Sequence, residues 1–258
     1  MLKKLILLIA FIVSISLNSY ADNKVLIKND PSEVKDCFEK INRMTFSLNM
    51  ALDNIIFEPV AKAYRILPSP IRSGVSNSLN NLSNLVTIPN NLLQGEFKKA
   101  GNNTGRLIIN TTIGVLGFID VAEKIGFSKY EKEDYGQTLA VHGLGPGCYI
   151  VLPVLGPTTV RDAAGTFMNT LGGDPWYTAT VTNNNHYFED SDYFYTKLAD
   201  GIDFRSKNIE SFESIEKNSV DLYASMKSLY LQDRQKKILN SSGIVDTMDD
   251  SDWDEIEN

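Results

Sequence analysis

The segment Gly136–Asp162 limits what this chain can become more than any other stretch. Glycine or proline stands at 136, 143, 145, 146, 147, 153, 156 and 157, around an apolar run from Tyr149 to Leu155, and an Arg161–Asp162 pair closes it. Proline removes a backbone donor and clashes with the preceding turn, and each glycine inside a helix costs about 1 kcal/mol against alanine. The segment is therefore neither ordinary helix nor one long strand. From Gly114 to Thr158 compact loops are expected, with a short strand at Tyr149–Leu152 or a short hairpin. Gly143-Leu144-Gly145-Pro146-Gly147 has the look of a phosphate cradle, but Pro146 lacks an N–H and no Lys-Ser/Thr pair follows. Its glycines suit tight turns and close backbone contact instead, and a side chain at Gly145 is expected to add bulk and block a positive φ.

Helical spacing governs the rest. Phe38, Ile41, Met44, Thr45, Leu48 and Leu52 form one apolar stripe that ends near Asp53. Pro59 can open a second helix through Tyr64, which Pro68 and Pro70 stop. A short, amide-rich helix is expected between Ile71 and Leu85, and a longer one from Pro89 to about Thr112 with Gly95, Gly101 and Gly105 inside it. Thr158 or Thr159 should cap a helix through Asn169, and Asp174–Tyr187 reads as an aromatic-rich loop. Asp190–Phe212 and Ser219–Ile238 complete the set, the last capped by Ser219. Stripes of this kind normally face a core, and that orientation is expected for most of them.

The chain opens with Lys3 and Lys4, an apolar run from Leu5 to Leu17, and Ser19-Tyr20-Ala21. That is the pattern of a cleaved secretory signal, and the run is well short of the roughly twenty apolar residues a spanning helix needs. No cysteine stands near Ala21, so a lipid-modified N-terminus is not expected. The ends divide the chain into a signal at 1–21, a linker at 22–35, a helical domain at 36–240 and an acidic tail at 241–258. The net charge of −7 is concentrated in that tail, where Asp246 through Glu257 supply seven carboxylates and no base. The near-neutral body has no basic stripe and argues against nucleic acid. Cys37 and Cys148 allow one disulfide in an oxidising compartment, and neither has partners at metal-ligand spacing.

Hydrolytic chemistry would need a nucleophile with a base in reach, and only His142 and His186 are available, without a Gly-x-Ser-x-Gly elbow. Both histidines read as structural or solvated. Arg161–Asp162 reads first as a structural brace and second as part of a polar passage. No catalytic residue, metal or cofactor is expected.

Several ordered segments resemble the MlaA/VacJ family, over about Asp36 to Arg234. They include Asn42-Arg43, Gly74-Val75-Ser76-Asn77, Asn90-Asn91-Leu92-Leu93-Gln94-Gly95, Gly105-Arg106-Leu107-Ile108-Ile109-Asn110, Gly117-Phe118-Ile119-Asp120, Tyr135-Gly136, Leu152-Pro153, Gly156-Pro157 and Arg161-Asp162. The resemblance implies a mainly α, single ring-shaped helical domain with a Gly/Pro-rich loop or short hairpin, embedded in one membrane leaflet. It also implies an outer-membrane component that removes misplaced phospholipid through an amphipathic channel. Its implied partners are phospholipid, the outer membrane, a trimeric porin and a soluble MlaC-like periplasmic carrier. The candidates for a lipid passage are then Asn91, Gln94, Arg106, Asn110, Gly143, Gly145, Gly147, Arg161 and Asp162. Asn42, Arg43, Gly74, Asn77, Gly95, Gly117, Asp120, Gly136, Pro153 and Gly156 are the candidates for structural roles. Cys37 and Cys148 each stand where the family usually has proline, in separate motifs, which argues against a bridge while leaving it open. A lipid-active hydrolase and a porin-associated scaffold with a sealed interior are the alternative readings.

Overall fold

The computed structural model describes residues 34–182 and 187–241. The signal at 1–21, the linker before Val34, His186 and the acidic tail beyond Ser241 lie outside the described residues. The described chain is mainly helical, with one two-stranded sheet, and its helices surround a polar interior.

The first stripe forms α1, Glu39–Leu52, and a π turn at Asp53–Phe57 carries the chain into α2, Glu58–Tyr64, which has Pro59 in its first turn. Pro70 does not end a helix; it sits in the first turn of α3, Ser69–Leu93, where its missing donor costs nothing. Two expectations fail together here. The amide-rich helix is not short, because α3 continues through Pro89, and the next helix does not begin there. A proline within a helix removes one hydrogen bond, and the packed length of α3 tolerates that loss. The break falls at Gly95, whose φ of +81° turns the chain out of the helix. The N–H of Glu96 closes that turn on the Asn91 carbonyl at 2.8 Å. α4, Phe97–Thr112, then runs back along α3.

Two helical turns stand in the stretch expected to be loop: α5, Val121–Lys124, capped by the Asp120 side chain, and α6, Tyr135–Val141, capped by Asp134. Carboxylates accepting orphan N–H groups at their first turns make such short helices possible. The hairpin forms as β1, Tyr149–Leu152, antiparallel to β2, Gly156–Thr159, with Tyr149 opposite Thr159 and Leu152 opposite Gly156. Thr159 caps α7, Val160–Met168, by accepting from the N–H of Asp162 at 3.2 Å. As far as Thr182 the aromatic-rich segment is also not a loop. After a π turn at Asn169–Gly173, Asp174 caps α8, Pro175–Tyr177, and a further π turn follows at Thr178–Thr182. The helix expected over Asp190–Phe212 divides at Asn208 into α9, Asp190–Lys207, and α10, Ile209–Asn218. The last, α11, Leu222–Ser241, takes Asp221 rather than Ser219 as its cap, since the Asp221 carboxylate accepts from Ala224 N–H at 3.1 Å.

What holds α1 to the hairpin is a pair of amides two helical turns apart. Asn42 donates to the Tyr149 carbonyl at 3.1 Å and accepts from Val151 N–H at 3.0 Å. Asn49 repeats the pattern one step along, donating to Leu152 O at 2.9 Å and accepting from Val154 N–H at 2.8 Å. Seven residues make almost two turns, so both amides lie on one face, where Asn42 satisfies the free edge of β1 as a third strand would and Asn49 holds the start of the hairpin turn. Beside them sits a small apolar cluster of Phe46, Tyr149, Val151, Tyr223 and Leu231, with Tyr223 edge-on to Phe46 at 5.5 Å and to Tyr149 at 6.1 Å. Gly136 and Gly165 let α6 and α7 touch, because a Cβ on Gly165 would lie 2.3 Å from the Gly136 nitrogen.

Cys37 and Cys148 are bonded, with Cα atoms 5.6 Å apart, against the expectation drawn from their separate motifs. The pairing of Asn42 with β1 brings the residues before α1 alongside the residue before β1, as does the 2.8 Å bond from Tyr149 N–H to Lys35 O. A bridge across a separation of 111 residues removes much denatured-state freedom. Replacing both cysteines by serine should cost about 4–5 kcal/mol on the chain-entropy account. Chemical denaturation of the two proteins measures that loss. Labelling of the unfolded wild type without reductant should find no free thiol.

Candidate functional site

Among the described residues, amides and charges are buried where a water-soluble protein places its core. Asn42, Asn81, Asn84, Asn90, Asn91, Asn103, Arg106 and Asn110 are all buried, while Ile41, Met44, Leu48, Ile55, Ile66 and Leu116 are exposed. α1 states the inversion most clearly: its apolar stripe faces out, with Met44 at 71 % exposed, and Asn42 and Phe46 face in. The expectation that these stripes face a core is therefore wrong for α1. Periodicity identifies an apolar face and does not say what covers it.

The buried polar groups form three connected clusters. Along α3, Asn90 accepts from Thr138 at 2.6 Å, Gln94 donates to Thr138 at 3.0 Å and to Glu133 at 3.1 Å, and Asn91 accepts from Asn103 of α4 at 2.8 Å. Along α4, Arg106 pairs with Asp120 and donates to Ser128 O at 2.9 Å. Asn110 donates to Asp120 at 3.0 Å and accepts from Ala122 N–H at 2.9 Å. Burial pushes the Asp120 carboxyl up, but N–H donation from Glu123, the Asn110 amide and the Arg106 charge together hold it below the usual carboxylate range.

The third cluster centres on Asp162. Arg161 binds it from the next position at 2.9 Å, Arg234 reaches it from α11 at 3.0 Å, and the Tyr230 hydroxyl donates to it at 2.8 Å. Arg234 also makes two 2.6 Å bonds to Asp134 at the start of α6. Burial favours the protonated acid at Asp162, yet the guanidinium groups of Arg234 and Arg161 outweigh it and leave the pKa lowered. Arg234, Tyr230 and Asp134 were not legible as site residues. They reach Asp162 only by tertiary packing, and nothing in their local spacing marks them.

The passage candidates do not share one cavity. Gly143 and Arg161 line a small one of about 90 Å³ with Leu144, Pro146 and Arg234. Asn91 lines another of about 430 Å³ with Asn103, Ser128 and three lysines. Gln94, Arg106, Asn110 and Asp162 serve in the hydrogen-bonded clusters described above. Gly143 and Gly147 have positive φ, whereas Gly145 does not, and a Cβ on Gly145 meets nothing within 4 Å. The sequence-based expectation that a side chain at Gly145 would block a positive φ therefore fails, because the turn is made by its neighbours.

Arg43 bonds Asp221 at 2.8 Å, Gly74 receives the Phe118 ring and Asn77 donates to Phe118 O at 3.3 Å. Gly117 packs on Asn81, Gly136 lies against Asp162 and Arg234, and Pro153 and Gly156 flank the hairpin turn. His142 meets the Leu93 carbonyl at 3.0 Å.

The family model described as MlaA lipoprotein matches residues 34–237. An intermembrane phospholipid transport system lipoprotein MlaA of Haemophilus influenzae is 31 % identical over 256 residues, covering 93 % of each chain. An uncharacterized protein of Rickettsia bellii is 33 % identical over 227 residues, covering 85 % of each. A solved structure from work on the structural basis for maintenance of bacterial outer membrane lipid asymmetry superposes with a TM-score of 0.67 at 30 % identity. That match covers 79 % of this chain and 99 % of the other.

Removing Arg234 would leave Asp162 with Arg161 as its one cation beside the Tyr230 hydroxyl, and breaking a buried pair from one side costs about 3–5 kcal/mol. Arg234→Gln should lower stability by that order in denaturant titration. The lowered Asp162 pKa stabilises the fold at pH above the unfolded value of about 3.9, and that stabilisation is lost as pH falls through the folded value. In Arg234→Gln the folded pKa of Asp162 should lie closer to its unfolded value, so less stability is lost on acidification than in the wild type, which thermal melts across pH 2–6 resolve.

Proposed function

The chain belongs to the MlaA lipoprotein family, and from that premise we propose that it transports intact phospholipid between membranes. It sits in the periplasmic leaflet of the outer membrane, takes phospholipid that has strayed into the outer leaflet, and passes it to a soluble MlaC-like carrier beside a trimeric porin. Residues 1–21 direct its export and residues 36–240 handle the lipid.

The inverted partition carries this reading. Among the described residues, 34 large apolar side chains are exposed while only 11 apolar residues are buried, against 21 buried polar or charged ones. Exposed apolar surface on that scale is costly in water and favourable in hydrocarbon. No helix among the described residues is long and apolar enough to cross a membrane. Helices that lay their apolar faces in one leaflet fit that pattern. A hydrogen-bonded polar interior lowers the cost of moving a headgroup past hydrocarbon, and no bond need be made or broken. Attachment rests on the exposed side chains, since both cysteines of the chain are joined to each other and neither thiol is free to carry a lipid.

Three measurements test the proposal. The mature protein should stay with the outer membrane through a high-salt wash, and Ile41→Glu with Leu48→Glu should release it. Lipid recovered with the purified protein should be intact diacyl phospholipid. Cells lacking the protein should accumulate outer-leaflet phospholipid at normal porin abundance. Lysophospholipid or free fatty acid whose appearance depends on His142 would establish a hydrolase instead. Unchanged outer-leaflet lipid in the deletion strain would favour a scaffold.

A further inference from the structure

We propose that the cavity between α3, α4 and the Ser128–Glu133 segment is a binding station for a phosphoryl group, from a lipid headgroup or a free phosphomonoester. Only the lipid source rests on the transport reading above. The cavity holds about 430 Å³, and all ten residues lining it are polar. Its surface mixes aliphatic stems with donors and acceptors, and a polar occupant can replace the hydrogen bonds that an acyl chain would leave broken.

Its charge selects an anion. Lys98, Lys99 and Lys129 line it, and Lys98 and Lys129 take part in none of the ion pairs among the described residues. Lys99 spends one N–H on the Asn240 carbonyl at 2.7 Å and retains two. Glu131 and Glu133 also line the cavity, and each is held by an amide: Glu131 by Asn240, and Glu133 by Gln94 at 3.1 Å. Three ammonium groups against two carboxylates leave a positive excess on the lysine side.

Asn91 points to a ligand independently of that charge. Its side chain is 1 % exposed, and its amide nitrogen has no hydrogen-bond partner. An orphan buried donor is destabilising unless something fills it. Asn103 donates to the Asn91 oxygen, which sets the nitrogen as the free group. Reversing both amides would only transfer the free NH₂ to Asn103, another residue of the same lining. With a spare amide donor just beneath its wall and ammonium groups along its rim, the cavity matches phosphoryl oxygens, which accept from the lysines first and from the amide once it is uncovered.

The test uses the full-length protein in detergent, with inorganic phosphate as one probe and dioleoylphosphatidylglycerol as the other, read by native mass spectrometry and by competition. Lys98→Gln with Lys129→Gln removes two exposed charges without touching the packed interior, and Lys217→Gln with Lys236→Gln controls for net charge. Both probes should bind the wild type and the control alike and the Lys98/Lys129 variant about tenfold more weakly, with phosphate displacing lipid. If phosphate shows this dependence and lipid binds none of the proteins, the station stands for free phosphoryl groups and the transport reading falls. If lipid binds and transfers equally well in wild type and Lys98/Lys129 variant, the station is overturned and transport survives. Failure of both probes to bind the wild type overturns it as well.

Discussion

The carboxylate of Asp162 accepts hydrogen bonds from Arg161, Arg234 and Tyr230, and through Arg234 it is tied to Asp134. These contacts join the start of α7 to the last helix and to the start of α6. A buried carboxylate is tolerable only when its lone pairs are filled and its charge is matched, so the fold around it has little freedom to rearrange. The approach of Gly136 and Gly165 belongs to the same constraint. A side chain at Gly136 would occupy the space of the Asp162 and Arg234 polar atoms.

Placing amides and ion pairs inside leaves little apolar surface to drive folding from water. The apolar cluster is confined to α1, the hairpin and α11, and the Cys37–Cys148 bond closes the chain around that same place. The Asn42 and Asn49 contacts to β1 belong to this junction too. An arrangement of this kind suits a protein whose outer surface is covered by hydrocarbon, where burial outward takes the part that a core plays in water.

Local chemistry was legible wherever the interaction spans a few residues. The Thr159 cap, the strand at Tyr149–Leu152 and the extent of α1 follow from side chains within about a turn of the backbone they serve. Pro89 and Gly95 misled because both are breakers in isolation, and only the packed helix decides which break is taken. The Asp174–Tyr187 segment misled for a similar reason, since Asp174 accepts the N–H groups of Trp176 and Tyr177 and starts a helical turn that aromatic content does not suggest.

The sequence by itself determined the helical class, the hairpin and, through its ordered motifs, the family. It also identified Arg161 and Asp162 as a pair, since they are adjacent. It did not determine that Arg234, 72 residues further on, completes that pair, or that Cys37 meets Cys148 across 111 residues. Such partners are chosen by the path of the whole chain. Nor did it determine which way the apolar stripes face. A stripe on a helix records a preference for a nonpolar neighbour, and protein core and lipid satisfy it equally. Only the tertiary structure, by filling the interior with Asn81, Asn90, Arg106 and Asp162, turned those stripes outward.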